Sequence, residues 1–132
     1  MSRLLFDTTF LVDTERTGDG LDEVIEDDDD VAVAAVTIAE LLVGVELAVG
    51  SRRRSRRAFM EDVLGAIPVI SYDRETAESH ARLLVAAKRQ GRPRGAHDLL
   101  IAATAHASGR TVVTADATGF ADLPEVTVRL HR

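Results

Sequence analysis

Five short apolar runs alternate along the chain with longer stretches whose apolar residues recur every three or four positions. The runs are Arg3-Leu4-Leu5-Phe6, residues 31–36, Ile67-Pro68-Val69-Ile70, residues 111–115 and residues 126–130. Each is too short for a stable helix and long enough for a buried strand. Strands separated by helices point to an α/β fold, with a central, mostly parallel sheet of four to five strands flanked by helices. Pro68 moves the third run toward the sheet edge, because proline cannot donate to a ladder. With 132 residues and no linker or repeat, residues 1–132 read as a single domain.

Between the strands the periodicity predicts a helical turn over residues 10–15, a loop over 17–20, and helical spacing of Leu21, Val24 and Ile25. The acidic run 27–30 reads as a solvated loop. Thr37-Ile38-Ala39-Glu40 has the form of a capping box opening a helix with Ile38, Leu41, Leu42 and Val45 inward, ended by Gly50. A basic cluster, Ser51-Arg52-Arg53-Arg54-Ser55-Arg56-Arg57, leads into a helix carrying Phe59, Val63 and Ala66. Asp73 or Thr76 caps the next helix, with Ala77, Ala81, Leu84 and Val85 inward. A loop at 91–95 precedes a helix over 97–108, which is apolar almost all round and therefore central.

Composition removes several functions. The chain has no Cys, which excludes disulfides, thiolate zinc sites and a cysteine nucleophile. Sixteen Lys+Arg against 22 Asp+Glu give a net charge of −6, so capture of nucleic acid by broad electrostatics is not expected. Any such role needs a local basic patch or bound metal. Aromatics at 4% and the absence of Trp disfavour base-stacking platforms. No signal peptide is expected, because Asp7 interrupts the first apolar run, and Glu40 and Glu46 break the longest one. The expected location is the cytoplasm, with no membrane association.

Right-handed crossovers bring the C-terminal ends of parallel strands to one rim, where α/β sheets bind ligands. Asp7 follows the first strand, Glu40 follows the second, Asp116 follows the fourth, and Asp98 opens the central helix before that strand. Each acid alone has an ordinary structural use, as an Asx-turn, a capping partner or a helix-dipole complement. Four carboxylates on one rim are another matter, since they repel one another and resist desolvation. Oxygen-only ligands suit Mg²⁺ or Mn²⁺ rather than zinc, and such ions can activate water against a phosphodiester.

Four segments carry a family resemblance: Leu5-Phe6-Asp7-Thr8-Thr9-Phe10-Leu11-Val12; Thr37-Ile38-Ala39-Glu40-Leu41 with Gly44; His97-Asp98-Leu99-Leu100-Ile101-Ala102-Ala103; and Val113-Thr114-Ala115-Asp116 with Phe120. Together they resemble the PIN domain, and more narrowly the VapC ribonuclease toxins of type II VapBC toxin–antitoxin pairs. The resemblance runs from Leu4 to Phe120. It implies a PIN-like fold and an Mg²⁺- or Mn²⁺-dependent endoribonuclease that hydrolyses RNA. It also implies a cognate VapB-like antitoxin as partner, and a homodimer. The family's four acids carry over to Asp7, Glu40, Asp98 and Asp116, as catalytic and metal-binding residues. Asp7 and Asp98 are the expected direct ligands; Glu40 and Asp116 complete the site and orient the attacking water. Thr9 and Thr114 match the family's small polar positions and support that shell. His97 stands where the family often has Asn, so it is not assigned as catalytic. Asp13 is an additional acid whose default is a surface helix position.

Arg92 and Arg94 flank Pro93 just ahead of Asp98 and are candidates to hold RNA phosphate, whereas the 51–57 cluster reads as solvated or partner-facing. His80, His106 and His131 share no spacing and read as packing or surface residues; Ser51, Ser55 and Ser108 belong to no hydrolase triad pattern. A phospho-receiver needs an acidic pair after the first strand and a late lysine; Thr8-Thr9 and the single Lys88 exclude it. A haloacid-dehalogenase-type phosphatase needs Asp where Thr9 stands. A non-catalytic module on a decayed scaffold predicts lost acids, and all four are present. The nearer alternative is a PIN nuclease of RNA maturation or DNA processing that works without an antitoxin.

Overall fold

A computed structural model describes residues 1–18, 21 and 25–131. Its elements run β1 (Arg3–Phe6), α1 (Thr8–Thr17), β2 (Asp30–Ala34), α2 (Ala35–Leu47), α3 (Gly50–Ala66), β3 (Val69–Ile70), α4 (Arg74–Arg89), α5 (Ala96–Ser108), β4 (Thr111–Thr114), a 3₁₀ turn (Ala117–Gly119) and β5 (Val128–Leu130). The five strands form one sheet in the order β3-β2-β1-β4-β5, and every neighbouring pair is parallel. The expected α/β architecture is therefore present, with β3 on the edge where Pro68 placed it.

Strand alternation divides the core in two. Leu4 and Phe6 of β1, Val33 of β2 and Val113 of β4 face α1, α2 and α3, joining Phe10, Leu11, Leu41, Met60 and Val63. Leu5, Ala32, Ala34 and Val112 face the other way, against Leu83, Leu99, Ile101 and the alanines of α5. Burying each large side chain contributes about 1.5–3 kcal/mol, and the central strands bury residues on both faces, as parallel sheets do. The order of strands puts β1 between β2 and β4, so the acids that follow these three strands share a rim.

Several local expectations are corrected. The first helix is longer than the predicted turn, running from the Asp7 cap to Gly18 in the left-handed region at φ 75°. Asp30 is not in a loop: it opens β2 and pairs with Arg3 at 3.5 Å and Arg110 at 3.0 Å, while Asp29 accepts the backbone N–H groups of Ser2 and Glu26. β2 runs straight into α2, so the helix opens at Ala35 and buried Thr37 lies inside it; no capping box forms. Gly50 does not end α2 but begins α3, and the 51–57 arginines lie on that helix. Met60 and Val63 are its buried positions, and Ala66 is exposed. On α4 the inward side chains are Thr76, Ser79, Leu83 and Ala87, whereas Ala81, Leu84 and Val85 are exposed. Their burial follows from satisfied polar groups: Asp73 accepts from the N–H and hydroxyl of Thr76, and Ser79 bonds His106. Of the expected helical stretch at 21–25, residues 22–24 lie outside the described residues, as do 19 and 20 of the 17–20 loop.

Candidate active site

Asp7 is the most constrained acid. It caps α1 by accepting the Phe10 N–H at 2.9 Å, and it is 1% exposed. The Thr114 hydroxyl, arriving from the neighbouring strand, donates to its Oδ2 at 2.6 Å, and the Thr9 hydroxyl lies 2.9 Å and 3.1 Å from its two oxygens. Thr114 Oγ1 in turn accepts the Asp116 N–H at 3.0 Å, and Thr9 Oγ1 accepts the Ala115 N–H at 3.2 Å. The two threonines thus tie the ends of β1 and β4 together around one carboxylate. Burial pushes the Asp7 carboxyl above its ordinary value, against the pull of its hydrogen bonds from Thr114, Phe10 and Thr9; the charge of Asp98 adds to the rise.

Glu40 lies in the second turn of α2. Its Oε1 accepts the Thr8 hydroxyl at 2.7 Å, and its Oε2 stands 3.3 Å from His97 Nδ1. It shares one shallow cleft with Gly95, Ala96, His97 and Asp98, and a second with Val12, Glu15, Leu41, Gly44 and Arg56. Asp98, the third residue of α5, accepts no hydrogen bond from any described residue. Its carboxyl is raised first by burial, then by the charges of Glu40 and Asp116, and lowered in part by His97. Asp116 is exposed and accepts both the hydroxyl and the N–H of Thr118, at 2.6 Å and 3.0 Å, which holds its carboxyl below the ordinary range. The charge of Asp98 bears on Asp7, and the charges of Glu40 and Asp116 bear on Asp98.

Other groups matter to which the sequence assigns no site role. Thr8 and His97 hold Glu40, with adjacent Thr8-Thr9 hydroxyls as the only sequence signal. Gly119 has no room for a side chain: a Cβ there would collide with the Asp98 carboxylate. Arg56 donates to the Gly44 carbonyl at 2.9 Å and lines the cleft of Glu40. Of the other arginines in the 51–57 cluster, Arg53 and Arg57 reach Glu46 at 3.2 Å and 3.8 Å. Arg92 and Arg94 direct their guanidinium groups onto the loop after Asp116, through Asp122 Oδ2 and the carbonyls of Thr118 and Ala121. Asp13 pairs with Arg16 at 3.4 Å. His80 contacts Tyr72, and His131 packs edge-on to Phe10. His106 joins Ser79 to Glu125 at 2.8 Å and 2.9 Å, but Ser79 is 2% exposed and so cannot serve as a nucleophile.

Among the described residues no three His, Asp or Glu side chains stand close enough to enclose a metal ion as they are. That does not disqualify the donor set, since Mg²⁺ takes one or two carboxylates and keeps several waters. Two repelling carboxyls, Asp7 and Asp98, both pushed toward the protonated form, and an Asp98 carboxylate without a donor suit a hard divalent cation.

The PIN domain family profile matches residues 4–126. Ribonuclease VapC5 of Mycobacterium tuberculosis is 34% identical over 112 residues, 85% of this chain and 82% of that protein. The chain belongs to the PIN domain family, among the VapC ribonucleases. Ribonuclease VapC of Rickettsia bellii is 26% identical over 95% of this chain and 93% of its own length. The crystal structure of VapBC-5 from Mycobacterium tuberculosis, a member of the VapBC family of toxin–antitoxin systems, superposes with TM-score 0.82 at 29% identity, covering 99% of this chain and 100% of that one. VapBC2 from Rickettsia felis, bound to a promoter DNA fragment, has the same fold at TM-score 0.88 and 20% identity, over 98% of this chain and 99% of that one.

Proposed function

We propose that this VapC-family chain hydrolyses RNA phosphodiester bonds, with Mg²⁺ or Mn²⁺, at the rim bounded by Asp7, Glu40, Asp98 and Asp116, as the toxin of a VapBC pair. The observation that carries the reading is the placement of Asp7, Glu40, Asp98 and Asp116 after β1, β2 and β4 and at the start of α5, on one side of the parallel sheet; burial first, and then like charge, raises the Asp7 and Asp98 carboxyls. Asp7 and Asp98 hold the ion, and Glu40 and Asp116 complete its surroundings directly or through water. When bound, the ion supplies the positive charge that acidifies water and offsets the growing charge on the scissile phosphate. Thr9 and Thr114 fix the Asp7 carboxylate, and Phe10 N–H fixes its rotamer. Glu40, oriented by Thr8 and His97, takes the proton of the attacking water as general base. Phosphate capture falls to cations at the rim, among which Arg56 lines the Glu40 cleft.

A VapB-like antitoxin is the partner, its apolar segment seated along the exposed Val12 and Val43 beside Glu40. Among the described residues no helix is long and apolar enough to cross a membrane; we place the action in the cytoplasm, in a homodimer of one-domain subunits. Digestion of total RNA with Mn²⁺ tests the function. Wild type should release discrete fragments that EDTA suppresses, and Asp98→Asn should release none. Equal cleavage by Asp98→Asn would overturn the assignment.

A further inference from the structure

The segment from Gln90 to Arg94 meets the loop that follows Asp116 at an unusual density of side-chain donors. Gln90 Nε2 donates to the Asp122 carbonyl at 2.8 Å. Arg92 Nη1 reaches Asp122 Oδ2 at 2.9 Å, and its Nη2 reaches the Thr118 carbonyl at 3.2 Å. Arg94 Nη2 donates to the Ala121 carbonyl at 2.7 Å and to Gln90 Oε1 at 2.9 Å, while its Nη1 donates to the Arg92 carbonyl. Three carbonyls of the loop are thereby held from one side. The loop also carries Asp122 at φ 64°, a left-handed conformation that a residue with a Cβ adopts at a cost. On its other side, Gly119 abuts Asp98. Asp98 itself is launched by the loop that contains Arg92 and Arg94, so the same short segment fixes both neighbours of the space between Asp98 and Asp116.

We infer that Gln90, Arg92 and Arg94 form a clamp that sets the position of the Asp116-bearing loop against Asp98. They are positioning residues for cleavage rather than contacts to RNA phosphate. The inference rests on the reading that Asp98 and Asp116 serve the reaction. Its chemistry is that of the guanidinium fork: five N–H donors in one plane satisfy several fixed acceptors at once, which a lysine ammonium on a flexible stem cannot reproduce. Arg94 is the centre of the clamp, because its donors join Gln90, Arg92 and Ala121. Arg92 is the outer member, with a side chain 43% exposed.

The test compares wild type, Arg94→Ala, Arg94→Lys, Asp122→Asn and Asp98→Asn. Each is measured for kcat and KM on a defined RNA with Mn²⁺, and for Mn²⁺ affinity without RNA by electron paramagnetic resonance. The clamp predicts that Arg94→Ala lowers kcat roughly ten- to hundredfold, the scale of a sub-ångström to ångström displacement of a reacting group. KM for RNA stays within about twofold, and Mn²⁺ affinity in the absence of RNA falls. Arg94→Lys restores only part of kcat. Asp122→Asn, which removes no positive charge, lowers kcat in the same direction by a few fold, and carries the test if Arg94→Ala melts early. A rise in KM with unchanged kcat and unchanged Mn²⁺ affinity would overturn the clamp and make these arginines phosphate contacts. Unchanged constants in every variant would overturn it as well. Cleavage by Asp98→Asn at the wild-type rate would overturn the underlying reading too, whereas loss in Asp98→Asn with intact Arg94 and Asp122 variants defeats the clamp alone.

Discussion

Asp7 at the end of β1 and Asp98 at the start of α5 face each other across one rim, yet the fold holds them in opposite ways. Asp7 is enclosed by the donors of Thr9, Phe10 and Thr114, which come from its own helix and from the neighbouring strand. Among the described residues Asp98 has no donor; it lies close to Gly95 and Gly119, where an added Cβ would meet its carboxylate, and it feels the charges of Glu40 and Asp116. One carboxylate is preorganised by hydrogen bonds; the other is left free to turn. The rim therefore has a fixed half and an adjustable half, and each half fails differently.

The largest effect expected is common to both. Asp7→Asn and Asp98→Asn should each reduce metal-dependent cleavage by more than the roughly 10–100-fold typical of removing an outer partner of a metal ligand, as measured by initial rates on a defined RNA. A mild defect in either one would remove it from the ion. Gly119→Ala comes next and tests the adjustable half alone. Its new Cβ must displace the Asp98 carboxylate, so cleavage should fall roughly ten- to hundredfold with the melting temperature nearly unchanged. A wild-type rate would mean that Asp98 does not work from the position described here.

How much of this was legible in the sequence follows from the range of the interactions involved. The strands and the four acids were legible because short apolar runs and the residues that end them are local features, and parallel topology alone carries Asp7, Glu40 and Asp116 to one rim. The inward face of α4 was not. Thr76 and Ser79 are buried there because Asp73 and His106 satisfy them, while Leu84 and Val85 stay exposed, and hydrophobicity alone cannot register such pairing. The capping box at Thr37 is a motif without its geometry: the N-cap of α2 is Ala34, whose side chain has no acceptor, and Thr37 lies inside the helix. The loop acceptors that Arg92 and Arg94 reach after Asp116 lie 26 to 30 residues away along the chain, beyond any local pattern.

Stability separates the two acids more gently. Asp7→Ala leaves the Phe10 N–H without its acceptor and the Thr114 hydroxyl with the Asp116 carbonyl in place of a carboxylate, so urea unfolding should show a loss of about 1–2 kcal/mol. Asp98→Ala strands no donor and should be neutral or stabilising in EDTA. A large loss there would reveal a contact that the crowding account omits.

The smallest effect is in pH. The folded-state carboxyls of Asp7 and Asp98 are raised, so each favours the fold in its protonated form. Their contribution is fully present below the ordinary value of 3.8 and is lost as pH rises through the raised folded values. Asp29, Asp73 and Asp116 are lowered and act in the opposite sense, contributing stability that is lost as pH falls. In EDTA, Asp98→Asn should therefore gain on wild type as pH is raised from below 3.8 toward neutrality. A constant difference across that range would show that neither burial nor like charge raises the Asp98 carboxyl.

Crystals of the chain soaked in Mn²⁺ and measured at the manganese absorption edge would locate the ion itself. The account predicts an anomalous peak between the Asp7 and Asp98 carboxylates, with Asp7 unmoved from its bonds to Thr114 and Phe10 and Asp98 turned to meet the ion. A peak that touches neither acid, or no peak under conditions in which the protein cleaves RNA, would contradict it.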